Sequence, residues 1–340
     1  MNRRSLARVL LLVGWSAAMA AAGWQARAHL GRPGPEARDR RVRQGGARLT
    51  SPLLDVELPE GYGVEREPIP FKYKVEQFVA ERTRDARVRS MSVYWRDLMD
   101  GPWLGINLRR KYNPASMMKV PVMIAWLKRA ERDPAELRRT FVFDPRVYPG
   151  PDQGADPART LQPGVAYPVE ALLRYMMAWS DNRAMWMLYG GLDGRELDEV
   201  VDSMDVTNDP ADGQNAMSVH GYSGFFRILF NASYLSREMS EKALELLAQQ
   251  DFPRGISAGV PAGVTVAGKF GEWSEGAPGS AVQLHEFAIV YHPRAGPYIL
   301  GVMTEGTDWD AQADAIRDAS RLVYDELVEQ AKARRPSPRR

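Results

Sequence analysis

Apolar residues recur along this chain with two periods, and the switches between them outline a fold. From Phe71 to Thr83 the apolar positions Phe71, Val75, Phe78 and Val79 fall three or four residues apart, the spacing of one helix face. Next, Met91, Val93 and Trp95 alternate with Ser92, Tyr94 and Arg96, which predicts a strand. Asp100-Gly101 signals a turn, and Trp103 to Ile106 returns as the second arm of a hairpin. With Asn113 as cap and Pro114 at the first helical position, a buried helix is predicted through Ile124, Ala125, Trp126 and Leu127. Between about 140 and 250 the pattern is helical, over Glu170 to Met177, Arg183 to Tyr189, Arg195 to Met204, Tyr222 to Phe230 and Glu238 to Leu247. After Gly255 strands return at Gly263 to Lys269, Leu284 to Tyr291 and Tyr298 to Thr304, and a helix from Asp310 to about Ala333 closes the pattern. Strands on both sides of a helical middle predict an α+β fold of two lobes built from one discontinuous chain.

The ends read differently. Arg3, Arg4 and Arg8 precede an uncharged, Leu-, Val- and Ala-rich run over residues 9–26 that ends near small residues, so 1–28 is expected to be a secretory signal or an N-terminal membrane anchor. Either form would place the remainder outside the cytoplasm, in the periplasm or its equivalent. Residues 29–50 are rich in Arg, Gly and Pro and are expected to act as a spacer, with the folded domain over 51–333 and a basic tail over 334–340.

Composition narrows the function. The 340 residues are 44% hydrophobic, enough for a large core, and 45 basic against 43 acidic side chains leave a net charge of +2, too small a field to imply nucleic acid. The chain has no cysteine, which removes disulfides, cysteine nucleophiles and cysteine metal sites. Its four histidines, at 29, 220, 285 and 292, show no metal-ligand spacing, so neither a metal nor a cofactor is expected.

The chemistry sits at Ser116. Three residues before Lys119 on a helical segment, its hydroxyl shares a face with the lysine amine, about one hydrogen bond away. A serine hydroxyl needs a base, and a lysine serves only if its amine is neutral near pH 7. Burial and a nearby cation, Lys269, are the expected means. One Ser-x-x-Lys arises by chance in about every chain of this length, but here Ser180-Asp181-Asn182 and then Lys269-Phe270-Gly271 follow it in order.

That ordered set resembles the class A β-lactamases and penicillin-binding proteins of the serine β-lactamase superfamily, over roughly residues 70 to 330. The resemblance implies an antiparallel sheet packed with helices from both termini, an inserted helical lobe, and an acyl-enzyme formed at Ser116 in the cleft between them. It implies Lys119 as base and Ser180 as relay of a proton to the leaving nitrogen. It further implies Asn182, Lys269 and Gly271 in substrate binding, and the backbone N–H groups of Ser116 and Glu272 as oxyanion donors. Asp181 is expected to be structural. The partner is then a β-lactam or a cell-wall peptide.

Two departures bear on turnover and substrate. The family's water-activating Glu has no counterpart between Asp205 and Ser218, where Asp209 and Asp212 are the available carboxylates. Phe270 stands where many members carry a hydroxyl, which removes a hydrogen bond to a substrate carboxylate of about 1.5 to 3 kcal/mol. Three readings stay open: a β-lactamase-like hydrolase, a D-alanyl-D-alanine-type peptidase, and an idle envelope binding protein of the same fold. Gln283 and His285 are candidates for polar contacts, and Trp179 and Trp186 are expected to pack at the lobe interface.

Overall fold

A computed structural model describes residues 48–50, 69–99, 101–148, 159–202, 216–276 and 279–333. The run 9–26, most of the spacer, Asp100, Asp209, Asp212 and the tail lie outside the described residues.

The sheet is built from both ends of the chain. Helix α1 (Lys72–Arg82) leads into strand β1 (Val88–Asp97), which turns into β2 (Trp103–Ile106). Much later come β7 (Val266–Ser274), β8 (Val282–His292) and β9 (Gly296–Gly306), then helix α8 (Trp309–Ala333). The five strands form one antiparallel sheet in the order β2-β1-β9-β8-β7, so the last and first segments of the domain meet at β1 and β9. Alternation explains how both faces are covered. Met91, Val93 and Trp95 point with Leu300, Val302, Leu284 and Ala288 into a core closed by Val75 and Val79 of α1 and by Ile316 and Val323 of α8. The alternate residues Tyr94, Phe287, Ile289, Ile299 and Met303 point the other way, into the larger core of the helical lobe.

That second core surrounds one helix. After the short strand β3 (Lys111–Tyr112) comes a 3-10 turn at Ala115–Met118 and helix α2 (Lys119–Arg132). Ten residues of α2 are buried, Val120 through Leu127 without a break, so its first turns are enclosed on every side while Lys128, Arg129, Glu131 and Arg132 bring its end to the surface. Pro121 is tolerated because the first turn needs no N–H from it. Around α2 pack α3 (Val169–Ala178), α4 (Asn182–Gly190), α5 (Gly194–Asp202), α6 (Val219–Asn231) and α7 (Arg237–Leu247). Trp126 fills the centre and donates its indole N–H to the Leu188 carbonyl at 3.0 Å.

Three details differ from the sequence reading. The stretch 140–250 is not wholly helical: β4 (Thr140–Val142) pairs with β5 (Ala166–Pro168), and β6 (Met217–Ser218) pairs with β3. Strand β7 begins later than Gly263 and continues through Phe270 to Ser274, because Gly263 takes a positive φ of 87° and ends the preceding turn. Packing also begins before residue 51. Leu49 is buried, the N–H groups of Leu49 and Thr50 donate to the Glu241 carboxylate at 2.8 to 2.9 Å, and the Tyr291 hydroxyl donates to the Leu49 carbonyl.

Candidate active site

Ser116 lies in the 3-10 turn that enters α2, not in the α-helix itself, and Lys119 is the first residue of that helix. A 3-10 turn stacks residues three apart almost in line, closer than an α-helix would. The Lys119 Nζ accordingly sits 2.8 Å from the Ser116 Oγ. The turn starts at Asn113, whose Oδ1 accepts from the Ala115 N–H at 2.9 Å. Ala115 itself is held at φ 48°, a left-handed backbone that an L side chain adopts only when its neighbours force it.

The second strained residue is Ser180, at φ 56° between α3 and α4. The bend turns both its carbonyl and its hydroxyl toward Lys119, at 2.6 and 3.0 Å. Asp181 then caps α4 by accepting the Ala184 N–H, and it pairs with Arg183, as its expected structural role requires. One residue on, the Asn182 Oδ1 lies 2.7 Å from the same amine.

The third element is β7. Lys269 is fully buried and places its amine 3.0 Å from the Ser180 Oγ and 2.8 Å from the Phe270 carbonyl. Phe270 fills the place of a hydroxyl with an aromatic face: its ring lies 4.1 Å from the Lys269 amine and stacks on Phe252 at 4.3 Å. Gly271 has a further reason to be glycine, besides room for substrate. A Cβ there would stand 2.7 Å from the Pro114 carbonyl and 3.1 Å from the Met117 nitrogen, so only glycine lets β7 lie against the nucleophile turn.

Electrostatics follow from burial. Lys119 is 2% exposed, and loss of hydration lowers its amine to about 7, with the Asp181 carboxylate pulling the other way. The repulsion between the two amines falls on Lys269, held well below the ordinary lysine value by burial first and by the charge of Lys119 second. The hydrogen-bond geometry also accommodates the neutral form. An ammonium has three hydrogens, whereas Lys119 faces four oxygens, on Ser116, Asn182 and twice on Ser180. A neutral amine can give its two N–H groups to the closest pair, the Ser180 carbonyl and Asn182 Oδ1, and accept the Ser116 hydroxyl hydrogen on its one lone pair.

Ser116, Lys119, Ser180, Asn182, Lys269 and Gly271 are thus brought together from three separate segments. Glu272, on the outermost strand of the sheet, follows directly. The Phe270 carbonyl points off that free edge to the Lys269 amine, and by the two-residue repeat of a strand the Glu272 N–H points the same way. The site opens on a cleft of about 670 Å³ lined by Ser116, Lys119, Asn182, Trp186, Tyr189 and Asp198 among others. Trp186 is 51% exposed on this wall and does not pack between lobes, since α4 turns that face outward. Sequence reasoning named Asn113 as a cap but missed Tyr222 and the role of His285. Tyr222 donates to the Met117 carbonyl at 2.8 Å, and His285 meets the Asn113 carbonyl at 3.0 Å. Among the described residues no cluster of metal-ligating side chains occurs.

Residues 74–327 match the sequence pattern of the Beta-lactamase enzyme family. No curated protein matches the chain. Among solved structures it is similar to PBP-A, at 21% identity and a TM-score of 0.65 over 81% of this chain and 100% of that one. It is also similar to a beta-lactamase of Sphaerobacter thermophilus, at 21% identity and 0.65 over 75% and 97%. TLA-3 extended-spectrum beta-lactamase shares the fold at 14% identity and 0.68 over 76% and 99%.

Proposed function

Because this chain belongs to the Beta-lactamase enzyme family, a group of serine β-lactamase-like hydrolases and penicillin-binding proteins, we propose that it is an exported enzyme that acylates itself at Ser116 with a β-lactam or a peptide-like amide. The observation that carries this reading is the single buried amine of Lys119 within 3.0 Å of Ser116, Ser180 and Asn182, with Lys269 on the other side of Ser180.

In the proposed reaction the neutral Lys119 amine takes the Ser116 hydroxyl proton, and Oγ attacks the carbonyl carbon. The oxyanion is held by the N–H groups of Ser116 and Glu272. As the C–N bond breaks, the Ser180 hydroxyl gives its proton to the leaving nitrogen and is resupplied by the Lys119 ammonium, 3.0 Å away. Lys269 steadies Ser180 and attracts a substrate carboxylate, while the Asn182 amide binds the substrate amide. No cofactor enters the cycle.

The acyl-enzyme then needs a water and a base. No Glu stands between Asp205 and Ser218, and Phe270 removes a hydroxyl that would bind a penicillin carboxylate. These two features support a slowly deacylating enzyme and favour, as second reading, a cell-wall peptidase of the D-alanyl-D-alanine type. PBP-A, one of its structural neighbours, has been trapped in an acyl-enzyme complex with penicillin G as a mutant. The test is intact-protein mass spectrometry after benzylpenicillin addition, followed over hours, with Ser116→Ala as control. We expect one adduct on Ser116 that decays slowly. A rapidly vanishing adduct would make the protein an efficient β-lactamase, D-alanine release from a muropeptide would make it the peptidase, and failure of both would leave an idle binder. Export is tested separately, by locating the full chain in cell fractions.

A further inference from the structure

Strand β8 sends Gln283 and His285 to the start of the nucleophile turn. The Gln283 Oε1 accepts the Asn113 N–H at 2.9 Å, and the Asn113 carbonyl lies 3.0 Å from His285 Nε2. The two side chains therefore hold both backbone groups of one residue, three before Ser116. His285 is fully buried, and its tautomer is set from behind: Nδ1 accepts the Thr304 N–H at 3.2 Å, so the ring proton is on Nε2 and donates to Asn113. The Tyr112 ring closes its face at 5.2 Å. Gln283 is oriented in turn by Glu305, which accepts from its amide at 3.1 Å and is paired with Arg110 at 3.0 Å.

What this clamp holds is strained. Asn113, fixed from outside, folds its own Oδ1 back onto the Ala115 N–H, and Ala115 stands at φ 48° immediately before the nucleophile. A released Ala115 would return toward negative φ, and Ser116 would swing with it. We infer that His285 and Gln283 are positioning residues that keep Ser116 in register with Lys119 through the backbone of Asn113, without touching substrate. The inference rests on Ser116 being the reacting group.

Two substitutions at one position separate this role from simple packing. Glutamine places an amide N–H where His285 Nε2 is, and asparagine places an acceptor where Nδ1 is. His285→Gln keeps the bond to Asn113 and gives up that to Thr304, whereas His285→Asn does the reverse. Rates of Ser116 modification are measured on the full chain by stopped flow, with a fluorescent penicillin and, independently, with a fluorophosphonate probe that reports hydroxyl reactivity without β-lactam recognition. Melting temperature and the final extent of labelling are recorded beside them. The expected result is at least a tenfold slower reaction for His285→Asn and no more than about threefold for His285→Gln, with complete final labelling in both and an unmoved pH midpoint. Gln283→Leu, which removes the acceptor for the Asn113 N–H, is expected to slow the reaction likewise. Equal rates in the two His285 variants, or rates that follow melting temperature alone, would overturn the clamp. A wild-type protein labelled by fluorophosphonate but not by penicillin would reject the β-lactam substrate and leave the variant comparison decisive. Labelling by neither probe would reject both.

Discussion

Replacing Lys119 by methionine tests the state of the base without any substrate. An amine that titrates at about 7 in the folded protein and at 10.5 when exposed is neutral in the first and charged in the second across that interval. There the unfolded chain binds the extra proton, so folding stability rises with pH, by about 1.4 kcal/mol per pH unit. Below pH 7 both states are protonated, the slope vanishes, and the whole penalty of about 5 kcal/mol is in force. Little solvent screening reduces it, since the residue is only 2% exposed. Methionine fills nearly the same volume and carries no proton. Most other ionisable groups are common to both proteins and cancel in the difference. Lys269 is the exception: without the charge of Lys119 it relaxes toward its ordinary value, which flattens the variant's own pH dependence and leaves the sign unchanged. Urea unfolding at pH 5.5, 6.5, 7.5 and 9 measures the difference. From pH 7.5 to 9 the wild type should gain about 2 kcal/mol on Lys119→Met, with little relative change below pH 6.5. Parallel stability curves would mean that Lys119 stays an ammonium in the folded protein at neutral pH, and the proposed base would be lost.

The remaining predictions concern rate. If the neutral amine is the base, the acylation rate constant at Ser116 should rise about tenfold from pH 6 to pH 8 with a midpoint near 7; a flat profile by stopped flow would contradict it. Gly271→Ala pushes a methyl to 2.7 Å from the Pro114 carbonyl, an overlap costing about 1 to 3 kcal/mol, and should slow acylation more than tenfold. An unaltered rate, with a melting temperature equal to wild type, would mean that β7 does not depend on that close approach.

How far the sequence carried these conclusions depends on how local each signal is. Strands β1, β8 and β9 are long enough for period-two alternation to show, and α2 declares itself by ten buried residues in one turn after another. Strands β3 to β6 are two or three residues long and leave no periodic trace, and for β4 to β6 the helical pattern of the surrounding 140–250 stretch hides them further. The end of β7 was hidden because Gly271, Glu272 and Ser274 break the apolar pattern on an edge strand. Ser116, Lys119, Ser180, Asn182 and Lys269 were legible because their chemistry needs fixed neighbours in sequence. Gln283 and His285 were visible only as polar residues, since what they hold, Asn113, is 170 residues away along the chain for Gln283 and contacts them only across the fold. The reason for Gly271 was equally non-local, because nothing near it in sequence reveals that Pro114 lies against it.

The two strained residues at the site also decide which part of it yields first. Ala115 and Ser180 lie in a backbone region that costs about 1 to 3 kcal/mol each, and each is held from several sides. Asp181 and the Lys119 amine hold Ser180, while Asn113 and its β8 partners hold Ala115. Below them α2 is buried on all sides from Lys119 to Leu127, with Trp126 and Ile124 fully enclosed, so the helix that carries Lys119 cannot slide or rotate without opening the core. Strand β7 has a ladder partner on one side only. A clash introduced between the turn and the strand therefore displaces the strand. That separates two functions that share the site: the distance between Ser116 and Lys119 is set by the helix and its clamp, and the distance from Ser116 to the Glu272 N–H by the edge strand. Gly271→Ala should then lower the acylation rate while its pH midpoint stays near 7, and His285→Asn should do the same by moving the other partner. A midpoint that shifts toward the ordinary lysine value in Gly271→Ala would show that water has reached Lys119, and that the strand, not the core, is what keeps the base dry.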